Sequence, residues 1–335
     1  MTIRTLANEL GLSVSAVSKA LNDYPDIGAE TKALVRHKAE ELGYTPNILA
    51  RNLAKKTSPF VGVVIRDISS VYGEMFKSLS DVARQYGLHL ILYDTDNDPA
   101  VEKWCVQNLI DSMAMGIVVV PVSEDVGEIR AMAGGRVPVV FLGGKVRDSS
   151  ANYVCADSRA GTEMAMRHLI GLGHERIAMV FDHKSSSSRS TKLEVYRRIM
   201  RELGQEERVY YGSDEDTDIM MSGYVQGRRI LASGADVTAV FTVKDMMAIG
   251  LVKAFREAGR HVPGDISVVG YDGIDAAALP MIELTTVAQP RLEMAEHIID
   301  ILQRHALDPA AAPEHWLAQP ELIIRSSSSA AMKQL

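Results

Sequence analysis

Gly43-Tyr44-Thr45-Pro46-Asn47-Ile48-Leu49-Ala50-Arg51-Asn52-Leu53-Ala54-Lys55-Lys56 is the stretch on which the reading of the whole chain turns. Gly43 ends a helix, Tyr44-Thr45-Pro46 extends the backbone, and Asn47 stands where it can cap a second, short helix over 48–56. A helix of about two turns does not hold alone in water. It needs a partner helix, a nucleic-acid groove or both, so its meaning depends on what precedes it.

Upstream, Leu6, Ala7 and Leu10 mark one helical face, Gly11-Leu12 forms a turn, and Ser13 is a natural N-cap for a helix over Val14 to Leu21. Ala16, Val17, Ala20 and Leu21 point inward, which leaves Val14, Ser15, Ser18 and Lys19 on the outer face. A third helix from about Ala29 to Leu42 is expected to bury Ala33, Leu34, Ala39 and Leu42. Three helices of this spacing fit a helix-turn-helix DNA reader, followed by a hinge that orders on the operator. On the helices alone, an ordinary three-helix bundle without a ligand fits equally well.

Downstream of Phe60, apolar runs of strand type alternate with helical patterns. Strands are expected at Phe60 to Ile65, Leu88 to Tyr93, Gly116 to Val120, Val137 to Leu142 and Tyr153 to Ala156, and again at Arg176 to Phe181, Val209 to Tyr211, Ala239 to Thr242, Ile266 to Gly270 and Thr285 to Ala288. Helices near Tyr72 to Tyr86, Pro99 to Met113, Asp125 to Ala133, Arg159 to Leu172, Lys192 to Leu203, Met221 to Ala232 and Asp245 to Ala258 separate them. The repeated alternation implies parallel sheets in two lobes. In such sheets ligands bind beyond the carboxyl ends of the strands, and the loops there are polar, among them Arg66-Asp67-Ile68-Ser69-Ser70, Asp182-His183-Lys184-Ser185 and Tyr271-Asp272-Gly273.

Composition bounds the function classes. A chain of 335 residues suggests two or three domains. No apolar run reaches the roughly 18 residues of a membrane span, the N-terminus lacks the layout of an export signal, and Cys105 and Cys155 have neither metal nor disulfide spacing; a cytoplasmic location is expected. The net charge is −7, yet the first 58 residues carry eight Lys and Arg against six Asp and Glu, so a mildly basic head precedes an acidic body. No G-x-G-x-x-G follows an early strand, and neither a P-loop nor a G-x-S-x-G nucleophile turn occurs. His89, His168 and His174 lack metal-ligand spacing. Neither catalysis, nor a metal, nor a cofactor is expected. An enzyme or an exported sugar-binding protein built on the same α/β body is the alternative, and neither explains residues 1–56.

Thr2-Ile3-Arg4-Thr5-Leu6-Ala7, Gly11-Leu12-Ser13-Val14-Ser15-Ala16-Val17-Ser18-Lys19-Ala20-Leu21-Asn22 and Glu41-Leu42-Gly43-Tyr44-Thr45-Pro46-Asn47 resemble the head of the LacI/GalR family of bacterial transcription regulators. Asp157, the run Gly171 to Ile177, Asp265 to Asp272 and Thr285 to Pro290 resemble its effector-binding body. The resemblance implies a λ-repressor-like helix-turn-helix followed by a two-lobed, type I periplasmic-binding-protein-like domain, an α/β fold. It divides the chain into a DNA-binding domain over 1–45, hinge helix and linker over 46–59, an N-terminal lobe over 60–160 plus 291–319, a C-terminal lobe over 161–290 plus 320–327, and a disordered tail over 328–335. The tail has no apolar heptad, so a homodimer is expected rather than a coiled-coil tetramer. Such a dimer takes double-stranded DNA with a pseudo-palindromic operator as one partner and a small sugar or sugar derivative as the other, in repression that an inducer relieves or a corepressor strengthens.

Residue by residue, the resemblance puts Val14, Ser15 and Lys19 at base edges. Val14 offers an apolar surface to a thymine methyl, Ser15 donates or accepts, and Lys19 either reads a base or touches phosphate. Thr5, Ser18 and Asn47 join them at the DNA, with Ser13 and Asn22 as caps or phosphate contacts. Leu53, with the small Ala50 one turn earlier, is the hinge leucine that enters the minor groove or else packs against its dimer mate. The effector cleft implied by the resemblance is lined by Asp67, Val71, Tyr72, Asp157, Lys244, Asp272 and Gln289, with Arg189 or Lys192 from the segment 185–192. Tyr72 suits a sugar face and Asp272 vicinal hydroxyls; a core position for Tyr72 and a turn-capping role for Asp272 are the plainer readings. Two positions depart from the family pattern. Lys244-Asp245 stands where Asn-Asp is usual, and Lys192, before Val195, stands where arginine before a glycine is usual. Lys244 therefore either binds a carboxylate or phosphate, with His183, Arg189 or Lys192 nearby, or pairs with Asp272 or Asp157 and leaves a neutral sugar in place.

Overall fold

The computed structural model describes residues 2–44, 58–68, 71–144, 146–182, 187–212 and 218–332. Asn47, Ala50 and Leu53, and with them the hinge helix, lie outside the described residues, as does the segment 183–186. The chain divides into two compact units, Met1–Ser58 and Pro59–Leu335.

In the first unit, α1 (Ile3–Leu10) starts at Thr2, whose side chain accepts from Thr5 N, and stops at Gly11 in the left-handed region at φ 63°. Ser13 caps α2 (Val14–Leu21), its Oγ accepting from Ala16 N at 3.1 Å. With α3 (Ala29–Glu41) these helices bury Leu6, Ala7, Val17, Ala20, Val35 and Ala39. The expected inward face of α3 is corrected here: Val35 is buried, whereas Leu34 is 53% exposed and Ala33 is exposed. Val35 and Ala39 are four residues apart and share a face; Leu34 is turned about 100° away from Val35.

The second unit holds two six-stranded sheets. One comprises β1 (Phe60–Ile65), β2 (His89–Asp94), β3 (Gly116–Val119), β4 (Val139–Leu142), β5 (Asn152–Ala156) and β11 (His315–Ala318), in the order β11-β5-β4-β3-β1-β2, with every pair parallel. The other comprises β6 (Ile177–Phe181), β7 (Arg208–Tyr211), β8 (Ala239–Thr242), β9 (Ser267–Asp272), β10 (Thr285–Ala288) and β12 (Glu321–Ile323), in the order β12-β10-β9-β8-β6-β7, with β12 antiparallel at the edge. Helices cover both faces, which is why β1, β3 and β4 are apolar without alternation. On the first sheet, α4 (Val71–Gln85) and α11 (Arg291–Leu307) supply Met75, Leu79, Ile298 and Leu302 to one face, while α5 (Pro99–Asp111) and α6 (Gly127–Ala133) supply Val106, Leu109 and Ile129 to the other. Leu109 lies so close to Gly62 that a Cβ there would sit 2.2 Å from its Cδ1. The second sheet carries α7 (Ser158–Gly171), α8 (Ser187–Glu202), α9 (Ile219–Ala232) and α10 (Asp245–Glu257) around one large core. Among the described residues, no helix is long and apolar enough to cross a membrane.

The backbone passes between the sheets after β5, after β10 and after β11. Three adjacent crossings of this kind form a hinge across which two lobes can shear or close. The expectation of a disordered tail over 328–335 is corrected for residues 328–332. Ser327 is buried, its Oγ accepting from Thr285 N and donating to Val268 O, Ser328 Oγ lies 2.8 Å from His168 Nε2, Ser329 O is 2.9 Å from His174 Nε2, and Ala331 N donates to Leu172 O. The polar serines find polar partners in the lobe, so the lack of an apolar heptad does not free the segment.

Candidate functional site

The first unit presents a polar face built on α2. Val14 is 40% exposed and Thr5, Ser13 and Ser15 are exposed, while Ser18 and Lys19 are half-buried. Ser13 spends its oxygen on the cap, and Asn22 ends α2 with Nδ2 donating to Ser18 O at 2.7 Å. Lys19 Nζ lies 2.5 Å from Asp26 Oδ2, a bond that raises the lysine pKa. Asp23 takes Lys32 at 3.1 Å and Arg36 at 3.3 Å. The small positive charge of this head is thus largely paired with its own carboxylates. A phosphate or base edge would replace Asp26 at Lys19.

In the second unit, parallel topology brings the carboxyl ends of β1, β4, β5, β8, β9 and β10 to one cleft between the lobes, with about 90 Å³ of free space. Asp67, Val71, Tyr72, Arg189, Lys192, Lys244, Asp272 and Gln289 all line it. Asp157 does not. Its Oδ1 accepts from Arg159 N and Ala160 N and caps α7. Arg66 and Tyr271, from the polar loops expected at the strand ends, line the cleft as well, and so do Ser158 and Arg291, which the sequence did not mark.

The charges form two groups. Asp182, at the end of β6 and only 1% exposed, holds two cations: Arg189 with Nε 2.6 Å from Oδ1 and Nη2 2.8 Å from Oδ2, and Lys244 with Nζ 3.0 Å from Oδ2. The expected partners of Lys244, Asp272 or Asp157, are corrected accordingly. Lys244 is the first residue beyond Val243 and reaches across to the neighbouring strand end, where Asp182 follows β6, the strand paired with β8. The second group is deeper. Lys192 is buried, its Nζ stands 3.2 Å from the centroid of the Tyr271 ring and donates to Val243 O, and burial pulls its pKa down to about 8. Asp272 is buried too, and burial pushes its carboxyl up to about 7 against the pull of Lys192. Gln289 Nε2 donates to its Oδ1 at 2.9 Å, and its φ of 123° lies in a region that favours glycine, a strained placement of the kind found at ligand sites. Behind it, Asp245 accepts from Thr286 Oγ1 at 2.5 Å and Ile274 N at 2.9 Å, and burial raises it to about 6.

Polar contacts also join the lobes directly. Glu74 on α4 accepts from Asp275 N at 2.8 Å and pairs with Arg291 at 2.9 Å, while Arg291 Nη1 donates to Asp272 O and Gly273 O. Tyr72 faces the cleft with its hydroxyl accepting from Arg66 Nη2 at 2.6 Å. Carboxylates that accept from hydroxyls, an aromatic ring and several cations are the tools for holding a small polyhydroxylated molecule.

Known proteins share both units. A family model described as a periplasmic binding protein-like domain matches residues 166–328. Catabolite control protein A of Staphylococcus xylosus is 30% identical over 297 residues, 87% of this chain and 88% of that one. The HTH-type transcriptional regulator DegA of Bacillus subtilis (strain 168) is 28% identical over 337 residues, 98% of each chain. Among solved structures, the Lac repressor dimer bound to operator and the anti-inducer ONPF superposes with a TM-score of 0.87 at 26% identity, over 98% of this chain and 99% of that one.

Proposed function

The chain belongs to the LacI/GalR family of transcription regulators, and from that premise we propose that it is a cytoplasmic, homodimeric repressor without catalytic activity, whose hold on a pseudo-palindromic operator is set by a small carbohydrate-like effector in the inter-lobe cleft. The observation that carries this reading is the presence in one chain of a capped helix-turn-helix with an outward polar face and of a hinged cleft lined by Asp272, Gln289 and Tyr72. Val14, Ser15 and Lys19 read base edges in each half-site, Thr5, Ser13, Ser18, Asn22 and Asn47 position the backbone, and Leu53, backed by Ala50, wedges the centre of the site. An exposed apolar face supports the dimer: Met221 and Val225, one turn apart on α9, and Leu279 and Met281, the latter tied to α10 by Arg256 Nη1 donating to its carbonyl.

Effector between the lobes favours one lobe arrangement, and operator affinity follows from the difference in its contacts between the two arrangements, typically about 1–3 kcal/mol. The test is fluorescence anisotropy of the full chain on a selected operator with and without candidate effectors. A roughly 5- to 150-fold change in apparent affinity supports the reading; an operator affinity indifferent to every compound that binds the cleft contradicts it.

A further inference from the structure

We infer that the effector carries one anionic group, a carboxylate or a phosphate, which is held between Arg66 of the N-terminal lobe and the Arg189–Lys244 pair of the C-terminal lobe. This rests on the effector reading above and adds the charge of the ligand.

Arg66, Arg189, Lys192 and Lys244 face three carboxylates, Asp67, Asp182 and Asp272, while Arg291 is taken up by Glu74. Among these described residues at the cleft one positive charge is left over. It is not spread evenly, because the single buried carboxylate of Asp182 serves both Arg189 and Lys244, and Asp272 faces Lys192 and Gln289. Among the described residues Arg66 has no carboxylate within ion-pair distance, although Asp182 and the buried Glu102 lie near enough to favour its charge. Its Nη2 donates to the Tyr72 hydroxyl and its buried Nε has no acceptor. A buried N–H left without an acceptor is costly, so the Nε of Arg66 at the end of β1 calls for a partner.

The leftover charge also lies where it opposes closure. Arg66 and Arg189 line the same cleft from opposite lobes, and besides burial the proximity of Arg66 lowers the Arg189 pKa, as like charges do. An anion seated between them turns a repulsion across the hinge into two attractions. A guanidinium fork suits the two oxygens of a carboxylate or phosphate, and the Lys244 ammonium adds a point charge at its side. A neutral sugar does none of this.

The test is thermal denaturation and isothermal calorimetry of the full chain with glucose, gluconate, glucuronate, glucose 6-phosphate and inorganic phosphate, repeated with Lys244→Asn and Arg66→Met after circular dichroism has shown native folding. The expected result is stabilisation by sugar acids or by sugar phosphates, which tells the two anions apart, with a weaker effect of inorganic phosphate and at least a tenfold loss of affinity in each variant. If Arg66→Met does not fold, Lys244→Asn, at a partly exposed position, decides alone. Stabilisation by neutral glucose only overturns the inference and leaves the effector cleft standing. Anion binding unchanged in the variants places the anion elsewhere and overturns it. No response to any compound counts against the inference and the cleft reading together.

Discussion

Lys19 Nζ rests 2.5 Å from Asp26 Oδ2, so the cation on the outer face of α2 is held by the protein's own carboxylate. Both side chains are about half exposed, so water screens the pair. Exchange of Asp26 for DNA therefore costs little. Asp26→Asn is expected to tighten binding to any duplex by about threefold, because it removes a negative charge beside the phosphates. Lys19→Ala is expected to relax base preference at one position of each half-site, at about 1–3 kcal/mol. A uniform loss over all sequences, with the salt slope reduced by about one, would instead show that Lys19 touches phosphate. Competition binding on a panel of single-base operator variants separates the two.

Asp245 supplies a pH prediction. Its ordinary pKa is 3.8, and burial raises it to about 6 in the folded chain. Between these values the folded chain keeps a proton that the unfolded chain has released, so the stability contributed by this group is full below pH 3.8 and is lost as pH rises to about 6. The loss is on the order of 3 kcal/mol. Burial lowers His168 and His174, which act in the opposite sense near the same pH. The measurement is therefore the difference in urea-unfolding free energy between the parent chain and Asp245→Asn. The advantage of the parent is expected to shrink steadily from pH 4 to pH 6; a difference that does not vary with pH contradicts the assignment.

The docked C-terminal strap makes a second stability prediction. Ser328 Oγ bridges His168 Nε2 and Thr285 Oγ1, each at 2.8 Å. Ser328→Ala is expected to cost about 1 kcal/mol by leaving His168 Nε2 unsatisfied, while Thr285 Oγ1 keeps its bonds to Arg325 O and Arg325 N. Deletion from Ser326 onward removes the Ser327 and Ser329 contacts as well and is expected to lower the melting temperature by several degrees or more. An unchanged melting curve after that deletion would show the strap to be loose in solution.

The α/β body was legible because strands buried on both faces must be continuous apolar runs. Phe60–Ile65, Ala239–Thr242 and Thr285–Ala288 begin and end where their sequence suggested. Helix ends were read to within a few residues except in α8, whose first turn Ser-Ser-Arg-Ser carries no apolar signal, and α11, β11 and β12 were not read from the pattern at all. Less legible was anything that depends on which distant groups meet. Gly270 illustrates this: a Cβ there would lie 2.1 Å from Asp245 Oδ1, a contact between β9 and α10 with no trace in local pattern. In the same way Asp182 and Arg66 were visible as polar loop residues, but not as the carboxylate that Arg189 and Lys244 share and as the partner of Tyr72. The tail was misread because serine-rich composition signals disorder only when no buried polar partners await it.

Leu53 carries the proposal for the operator centre. Insertion of an apolar wedge into a base step contributes only where the protein is held in register on a specific site. Leu53→Ala is expected to weaken binding to the operator by tenfold or more while leaving affinity for random duplex nearly unchanged. Equal losses on both would assign Leu53 to packing between subunits instead.

The central claim is that this chain reads a two-fold-symmetric DNA sequence through α2. Selection of bound fragments from a random-sequence duplex library by the full chain, followed by sequencing, tests it most directly. The account predicts enrichment of one pseudo-palindromic site, with half-sites related by a dyad and with the preference at outer positions altered by Val14→Ala and Ser15→Ala. Enrichment of no sequence, or of a site unaffected by changes at both positions, would contradict it.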